Sequence, residues 1–374
     1  MKTIGIVAEY NPFHLGHQWQ ISQIRQAMGD CRIVCCMSGN WVQRGECAVT
    51  DKWSRAEAAV RGGADLVVEL PTRWAVSSAE RFARGALAIL AAAGVDTLCF
   101  GSECGDLQQL RQAAQCLDSG EYPAALAPFL ESGGTFAAAR HKAVETLLGA
   151  GADCLRGANN NLAVEYLRAL PEGMDAMTFQ RQGAGHDGAL GEGFASASTI
   201  RSLLRDGKTR EANKLLPRHF SGEIARMELC ERGILAKLRG MTAADFAALP
   251  DCSPELAGRL CSGVRKAKSL DELYTLVKTR RYTHARVRRV VLWAFLGQKG
   301  GETAEAYLRV LAMNKTGGAL LRELKKTCPV PVITKPASYR DLLEEEGKST
   351  DLYGLCFPKI CECGREFTQS PRIV

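Results

Sequence analysis

The first 105 residues alternate between short apolar runs and helical patterns, and this alternation limits the fold more than any other feature of the chain. The apolar runs predict four strands, at residues 3–8, 32–37, 65–70 and 96–100. Nearly continuous apolar strands separated by helices are typical of a parallel sheet that is covered by helices on both faces. We therefore predict an α/β protein with a Rossmann-like sheet, in which ligands bind at the carboxyl ends of the strands.

The remainder of the chain is mostly helical in pattern. Residues 106–172 indicate a helical insertion, and a fifth strand is predicted at 174–180. Beyond residue 207 only helical periodicity is visible as far as 327, including a helix predicted over 302–313. We predict a first domain over residues 1–206 and a mainly α-helical, basic C-terminal domain over 207–374.

Composition and cysteine usage point to a cytoplasmic protein. No apolar run approaches the roughly 18 residues that span a bilayer, and the N-terminus enters a strand without the pattern of a signal peptide. The 15 cysteines are odd in number and scattered, as reduced thiols are in a reducing compartment. The tightest cluster does not have the spacing of a zinc knuckle, so we expect no dedicated metal site there (Cys356, Cys361 and Cys363).

Positive charge is concentrated in one part of the chain. Residues 201–300 carry 21 Lys and Arg against 10 Asp and Glu, a net charge of +11. Residues 1–200 carry 16 against 21, a net charge of −5. A solvated helical face explains a single basic cluster, whereas a whole basic segment beside an acidic one favours a polyanionic partner such as nucleic acid.

The first predicted strand runs into Asn11-Pro12-Phe13 and then into two histidines that open a helix. Backbone N–H groups and the helix dipole favour a phosphate at such an end. His14 and His17 lie three residues apart and so share a helix face, from which both can donate to charge that builds on an attacked α-phosphate. The alternative interpretation is two surface histidines at a helix start, which could also serve as metal ligands.

A second anion-binding pattern follows the fifth predicted strand. Ser196, Ser198 and Thr199 place hydroxyl groups at a helix start, and Arg201 follows one turn later. Alone, this pattern is equally typical of an ordinary N-cap with a surface arginine. Its place after the fifth strand lets the sheet bring it beside the first turn.

With H-x-G-H after the first strand and S-x-[ST]-x-I-R after the fifth, the chain resembles the nucleotidyltransferase superfamily. Members of that superfamily attack the α-phosphate of a nucleoside triphosphate and release pyrophosphate. Ser198 stands where the pattern usually has Thr. Longer blocks resemble the bacterial tRNA(Met) cytidine acetate ligase family, at residues 7–17, 37–46, 51–59, 65–71, 100–103, 159–170, 181–187 and 281–289.

The resemblance implies a two-step reaction without a further cofactor. ATP and acetate form acetyl-adenylate and pyrophosphate, and the acetyl group passes to N4 of the wobble cytidine of elongator tRNA(Met). The implied catalytic residues are His14, His17 and Arg201. The implied ATP-binding residues are Val7, Ala8, Glu9, Tyr10, Asn11, Pro12, Phe13, His14, Leu15, Gly16, His17, Gln18, Trp19, Gln20, Gly101, Asn159 or Asn160, and Arg181, and the hydroxyl pattern adds Ser196 and Ser198.

The chain departs from the family at two places. The family usually has Pro-Asn-Asn-Ile-Leu where this chain has Ala158-Asn159-Asn160-Asn161-Leu162, which leaves open which Asn contacts ATP. After Gly-Ala-Gly it usually has Tyr-His-Asp, whereas here His186-Asp187 follow directly, which leaves any role of His186 open. ATP normally arrives with Mg²⁺, but no carboxylate cluster marks a site for the metal.

Two further groups of residues are candidates for substrate contacts. Polar residues after the second strand, and two cations one turn apart on the next helix, are candidates for acetate or phosphate: Ser38, Asn40, Gln43, Arg44, Lys52 and Arg55. A polar loop and a solvated face are the alternatives. The densest basic run is the candidate tRNA surface: Lys278, Arg280, Arg281, Arg286, Arg288 and Arg289. On a predicted helix, Arg281 and Arg288 share one face. Val287, Val290 and Val291 form its apolar side.

Two other functions stay open at this point. A small-molecule nucleotidyltransferase, or an acetate-activating adenylyltransferase that does not act on RNA, explains both phosphate motifs but gives the basic segment no role. The hypothesis of a non-catalytic RNA-binding protein leaves the intact His14, His17 and Arg201 without a role. No protein partner and no membrane association are expected.

Overall fold

A computed structural model describes residues 1–133, 135–181, 194–298 and 306–374. Its centre is one eight-stranded sheet, accompanied by a separate two-stranded hairpin. The strands are β1 (Lys2–Ala8), β2 (Cys31–Ser38), β3 (Trp41–Val42), β4 (Glu46–Cys47), β5 (Leu66–Leu70), β6 (Thr97–Ser102), β7 (Asp175–Gln180), β8 (Leu308–Met313), β9 (Val332–Ile333) and β10 (Arg372–Ile373). Strands β3 and β4 form the hairpin.

The five strands predicted from the first part of the chain are confirmed as the parallel centre of this sheet. They lie in the order β5-β2-β1-β6-β7, and every neighbouring pair is parallel. In an open parallel sheet the strand order reverses at one point, and ligands bind in the crevice outside the carboxyl ends there. Here the reversal falls between β1 and β6, which places the turn after Ala8 and the end of β6 on opposite sides of one crevice.

The helices of the described ranges cover the sheet and form a separate helical region. They are α1 (Leu15–Met28), α2 (Lys52–Arg61), α3 (Thr72–Ala75), α4 (Ala79–Ala92), α5 (Leu107–Leu117), α6 (Tyr122–Glu131), α7 (Phe136–Leu148), α8 (Ala158–Arg168), α9 (Ala197–Arg205), α10 (Thr209–Asn213), α11 (Glu231–Arg239), α12 (Ala243–Ala247), α13 (Pro254–Lys266), α14 (Leu270–Val277), α15 (His284–Leu296), α16 (Lys315–Thr327), α17 (Glu344–Tyr353) and α18 (Arg365–Thr368).

Alternation along the strands builds a core on each face of the sheet. Ile33 and Cys35 of β2 pack with α1 and α2 on one face, and Val34 and Cys36 pack with α4 and α16 on the other. Successive side chains of a strand point to opposite faces, so a strand that is buried on both faces is apolar throughout. This is why β2 appears in the sequence as an unbroken apolar run.

The helical region has its own core. Helices α11, α13, α14 and α15 bury a shared apolar cluster, in which Val287, Val290 and Val291 have no exposed surface. The predicted apolar side of α15 is therefore confirmed. Trp41 of the hairpin and Tyr353 of α17 belong to the same cluster, so the helical region is packed against the sheet unit through a continuous interior.

The C-terminal residues return to the sheet. Strand β8 pairs antiparallel with β5, and β10 pairs with β8. The helix predicted over 302–313 is wrong for Leu308–Met313, because a six-residue apolar run fits a strand as well as a helix and the free edge of β5 decides its conformation. Residues 302–305 lie outside the described residues. The division at residue 206 stays a prediction.

Candidate active site

The turn after β1 forms a reciprocal cap at the start of α1. The Nδ1 atom of His14, the N-cap residue, accepts a hydrogen bond from the backbone N–H of Gly16 at 3.1 Å. The backbone N–H of His14 donates to Nδ1 of His17 at 3.3 Å. Because a neutral imidazole has one donor and one acceptor, both bonds assign the ring proton to Nε2. Each ring therefore keeps an N–H donor for a ligand.

The two rings are fixed by close packing. Their centroids lie 3.7 Å apart in a stacked arrangement, and the ring of Tyr10 meets His17 edge-on at 4.8 Å. A Cβ at Gly16 would lie 3.0 Å from Cε1 of His14, so only glycine fits the turn without pushing the histidine aside. The local sequence thus positions two rigid donors at the carboxyl end of the central strand.

Two arginines approach these histidines from elements that are distant in sequence. Arg181 follows β7, where its backbone N–H donates to the carbonyl oxygen of Ser102 at 2.9 Å. Arg201 of α9 donates from its guanidinium to the carbonyl oxygen of Asn11 at 2.9 Å. The sheet therefore brings the second anion-binding pattern beside the first turn, as expected.

Burial and these arginines keep both histidines neutral. Burial, then the positive charges of Arg181 and Arg201, lower the pKa of His14 from its ordinary 6.5 to about 4. Burial, then His14 and Arg181, lower the pKa of His17 well below its ordinary value. At neutral pH the site therefore presents two uncharged N–H donors beside cations, which suits a polyanion such as a triphosphate.

The lowered pKa of His14 has a consequence for stability. The unfolded chain binds a proton near pH 6.5, whereas His14 in the folded chain binds one only near pH 4. The folded state therefore loses stability as the pH falls through this window, by about 1.4 kcal/mol per pH unit from His14 alone. Urea unfolding at pH 7, 6 and 5 measures the effect, and His14→Asn is expected to show a slope smaller by about 1 kcal/mol per pH unit. Equal slopes for the two proteins would contradict the neutral histidine.

The asparagines after the helical insertion are held by Glu103, which follows β6. The Glu103 carboxylate accepts from the backbone N–H and side-chain amide of Asn159, at 2.9 and 2.7 Å, and from the backbone N–H of Asn160 at 2.6 Å. Helix α8 starts at Ala158 with Gly157 as its N-cap, so these asparagines lie inside the helix and do not cap it. Asn160 is buried and Asn159 is half-buried. Which of them contacts ATP stays a prediction.

The hydroxyl groups of the second pattern cap α9. The Ser196 Oγ accepts from the backbone N–H of Thr199 at 3.1 Å and lies 2.7 Å from Oγ of Ser198. Trp19 of α1 lies against Phe194 just before this cap, with ring centroids 6.1 Å apart. Residues 182–193 lie outside the described residues. They include most of the motif at 181–187, with His186.

The end of β2 and the turn of the β3–β4 hairpin each contain a buried polar atom with no internal partner in the described ranges. The Ser38 Oγ and the Gln43 Nε2 find no hydrogen-bond partner within the described part of the chain. The backbone N–H of Gln43 donates to the Glu9 carboxylate at 2.9 Å, which joins the hairpin turn to the first turn. The side-chain oxygen of Asn40 already has an internal partner, because it accepts a hydrogen bond from the backbone N–H of Lys52 at 3.0 Å. The side chain of Arg44 is exposed.

Lys52 and Arg55 are too deeply buried to contact a pyrophosphate. Both side chains are essentially fully buried, at 0% and 1% exposure, so the alternative of a solvated face is wrong as well. Lys52 pairs with Glu69 and Glu366, each at 2.6 Å. Arg55 donates to four backbone carbonyl groups and ties together the ends of β1 and β2, those of Glu9, Ser38, Gly39 and Thr50. The structure gives both residues a positioning role in place of the predicted contact.

The basic run of the helical region is divided between surface and interior. Helix α15 begins at His284, so the prediction that Arg281 and Arg288 share a helix face is wrong; the hydroxyl of Thr283 caps the helix after Arg281. Lys278, Arg280 and Arg281 are exposed, and Arg281 pairs with Glu255 at 3.0 Å on the surface. The other three predicted residues are half-buried and bonded to acidic residues or their backbone: Arg286 and Arg289 to Asp251, and Arg288 to Glu46.

Two functional candidates were missed by the sequence reasoning. Glu46 pairs with Arg288 and lies 3.6 Å from the guanidinium of Arg205. The spacing of Arg205, four residues after Arg201 on one helix, was the available signal. Nothing in the spacing of Glu46 marks it, because its partners come from helices far along the chain.

The described ranges hold neither a cluster of metal ligands nor a helix that could cross a membrane. Across residues 1–133, 135–181, 194–298 and 306–374, no group of three or more His, Cys, Asp or Glu side chains is arranged to hold a metal ion. The thiol of Cys356 lies 3.4 Å from that of Cys230, away from the exposed Cys363. No helix within the described ranges is both long and apolar enough to cross a membrane.

A Rossmann-like sheet whose first turn presents two stacked, neutral histidines close to two arginines defines a nucleotidyltransferase. The family model described as HIGH Nucleotidyl Transferase matches residues 1–366. Among curated relatives, the tRNA(Met) cytidine acetate ligase of Syntrophotalea carbinolica is 38% identical, over 96% of this chain and 91% of the relative. The enzyme of that name from Thermoanaerobacter sp. (strain X514) is 34% identical, over 98% of both chains. The chain belongs to the tRNA(Met) cytidine acetate ligase family, and the resemblance predicted from its motifs is confirmed.

Solved structures agree with this assignment. Thermotoga maritima TmcAL bound with alpha-thio ATP superposes with a TM-score of 0.90, at 29% identity and with 100% of each chain covered. The apo form of that protein gives a TM-score of 0.92 at the same identity and coverage. The predicted α/β nucleotidyltransferase fold is therefore confirmed over the whole length of the chain.

Proposed function

We propose that this protein uses ATP to ligate acetate to N4 of the wobble cytidine of elongator tRNA(Met). The observation that carries the proposal is the pair of neutral Nε2–H donors of His14 and His17, with the charges of Arg181 and Arg201 close to them. Membership of the ligase family over the full chain supports the choice of substrates. A cytoplasmic location is part of this proposal.

In the first step an acetate oxygen attacks the α-phosphorus, and the bond from that phosphorus to the bridging oxygen of pyrophosphate breaks. Pyrophosphate leaves with the electron pair, and acetyl-adenylate remains. The Nε2–H groups of His14 and His17 donate to the α-phosphate oxygens, on which charge builds. Arg181 and Arg201 offset the negative charge of the triphosphate.

The acetate is proposed to bind at the end of β2 and the turn of the β3–β4 hairpin. The unpartnered Nε2 of Gln43 and Oγ of Ser38 are the donors that a carboxylate in this crevice needs. No carboxylate cluster of the described residues faces the turn. Mg²⁺ is proposed to arrive with ATP as its counterion.

In the second step the N4 amine of the cytidine attacks the acetyl carbonyl carbon. The bond from that carbon to the AMP oxygen breaks, AMP leaves, and the amine loses a proton. Attack on a mixed anhydride depends mainly on positioning, which requires that the base be turned out of its stack into the crevice.

The exposed part of the basic run is proposed to contact the tRNA backbone. Its residues are Lys278, Arg280 and Arg281, whose charges are accessible at the surface. The triple variant K278Q/R280Q/R281Q is expected to weaken tRNA binding. The slope of log affinity against log salt concentration is expected to fall in magnitude by about 0.7–0.9 for each phosphate contact that is lost. The matched control R322Q/K325Q/K326Q removes three exposed charges from α16 instead. Equal losses in both triple variants would contradict this placement.

The test of the function uses purified protein, ATP, radiolabelled acetate and bulk bacterial tRNA. Label that enters tRNA only in the presence of ATP is the expected result. Acetate-dependent pyrophosphate release without labelled RNA would identify an acetate-activating enzyme with another acceptor. The absence of ATP turnover under any condition would contradict an enzymatic role.

A further inference from the structure

A carboxylate bridges two helices beside the active site. Glu46 of the hairpin pairs with Arg288 of α15 through one oxygen, and its other oxygen lies 3.6 Å from the guanidinium of Arg205 on α9. We infer that Arg205 and Arg288 bind a backbone phosphate of the acceptor RNA, and that Glu46 occupies this phosphate site when no RNA is bound. The inference rests on the proposed function, since it names where that acceptor is held.

The charges and hydrogen bonds of this cluster are incomplete. One carboxylate lies between two guanidinium groups, which leaves a net charge of +1. The Nε atoms of Arg205 and Arg288 are both buried without a hydrogen-bond partner in the described ranges. The 3.6 Å separation of Arg205 from Glu46 exceeds an ordinary hydrogen bond. A phosphate, with more acceptor oxygens than one carboxylate, satisfies two guanidinium groups better.

The cluster is accessible and fixed in place. The side chains of Arg205 and Arg288 are 34% and 31% exposed, whereas Glu46 is 18% exposed. Gly45, with φ +73, lies so close to α15 that a Cβ there would be 2.6 Å from the backbone carbon of Arg288. Because the hairpin backbone is held against the helix, exchange of Glu46 for a phosphate requires only rotation of its side chain.

The location suits the acceptor nucleotide. Arg205 lies four residues after Arg201 on α9, about 6 Å along the helix axis. Arg201 is held at the first turn. Burial lowers its pKa, which Glu46 raises and Arg205 lowers further, so the two arginines share one electrostatic environment. A base that is turned out toward the α-phosphate keeps its own phosphate nearby. On the other side, α15 leads back to the exposed basic residues at 278–281.

The β- and γ-phosphates of ATP present the same chemistry, so the experiment separates the two sources. Binding of tRNA is measured as Kd across a salt series, and ATP is measured as KM in acetate-dependent ATP–pyrophosphate exchange. The variants are R205Q, R288Q and E46Q, with R84Q on α4 as the control for loss of one exposed charge. Thermal unfolding of each variant checks that it is folded, and R205K and R288K test for the guanidinium fork in place of the charge alone.

The arginine variants and E46Q are expected to change the affinity for tRNA in opposite directions. R205Q and R288Q raise the Kd for tRNA tenfold or more and lower the salt slope by about 1 each, with the KM for ATP within twofold of the wild type. E46Q lowers the Kd for tRNA at least threefold, because the competing carboxylate is removed. Binding of tRNA that is unchanged or weaker in E46Q overturns the inference, and so does a raised KM for ATP with unchanged tRNA binding in R205Q and R288Q.

Failure of the inference is distinct from failure of the proposed function. If the wild-type enzyme acetylates tRNA and all three variants bind tRNA as the wild type does, only the phosphate site is contradicted. If the wild-type enzyme transfers no acetate to tRNA, the proposed function is contradicted, and with it the acceptor assigned to this site.

Discussion

Replacement of His14 by asparagine is expected to slow adenylate formation by about 10²–10³-fold, which corresponds to the loss of one donor to the developing charge. The Oδ1 atom of asparagine can accept from the Gly16 N–H as Nδ1 does, and asparagine is a preferred N-cap residue. The variant therefore removes the Nε2–H group and keeps the turn. Acetate-dependent ATP–pyrophosphate exchange measures the step without any RNA.

The matched control is His141→Asn on α7, in the helical insertion. It is expected to exchange at the wild-type rate, because His141 lies near Asp153 and takes no part in the turn. Circular dichroism and the Tm establish that His14→Asn is folded. A folded His14→Asn protein that exchanges pyrophosphate at the wild-type rate would remove His14 from the chemistry.

The second large effect is on stability. Lys52→Met is expected to lower the free energy of unfolding by about 3–5 kcal/mol, since it removes the nearer of the two cations beside the buried Glu366 carboxylate and the hydrogen-bond donor of Glu69. Lys52 pairs with Glu69 and Glu366, and Glu366 also lies 3.6 Å from the guanidinium of Arg309. This cluster joins α2 and β5 to the C-terminal elements β8 and α18. Urea denaturation at pH 7 measures the loss.

Glu69→Gln provides the contrast. Burial, opposed by Lys52, raises the pKa of Glu69 to about 8, so loss of the charge of this carboxyl is expected to cost less than loss of the cation. An amide of the same shape keeps an acceptor for Lys52, and the expected cost is below about 1 kcal/mol. Equal stability of the wild type and Lys52→Met would show that the buried cation is dispensable for the fold.

Much of the fold follows from local patterns in the sequence. Four of the five parallel strands are predictable because a strand buried on both faces is largely apolar, as β2 is from Ile33 to Met37. The H-x-G-H turn was found because residue spacing and a helix start are local properties. Strand β8 was not found, since its conformation depends on pairing with β5, which no window of 308–313 contains.

The candidate site divides in the same way. His14 and His17 lie in one motif, and the sheet order brings Arg201 to them, so a prediction from strand ends reaches all three. Lys52 and Arg55 look like a solvated pair in the sequence. Their burial is set by Glu366, which lies near the end of the chain, and by carbonyl groups of two strand ends. Charge patterns alone do not distinguish a buried cation from an exposed one.

The central claim is that acetate attacks the α-phosphorus of ATP and that the acetyl group then leaves AMP for the tRNA. Acetate labelled with ¹⁸O in both oxygens tests it directly, with mass spectrometry of the AMP and pyrophosphate formed during tRNA acetylation. One ¹⁸O atom in each AMP and none in pyrophosphate is the predicted result, because the attacking oxygen stays on phosphorus when the acyl bond breaks. Unlabelled AMP, or label in pyrophosphate, would contradict the account.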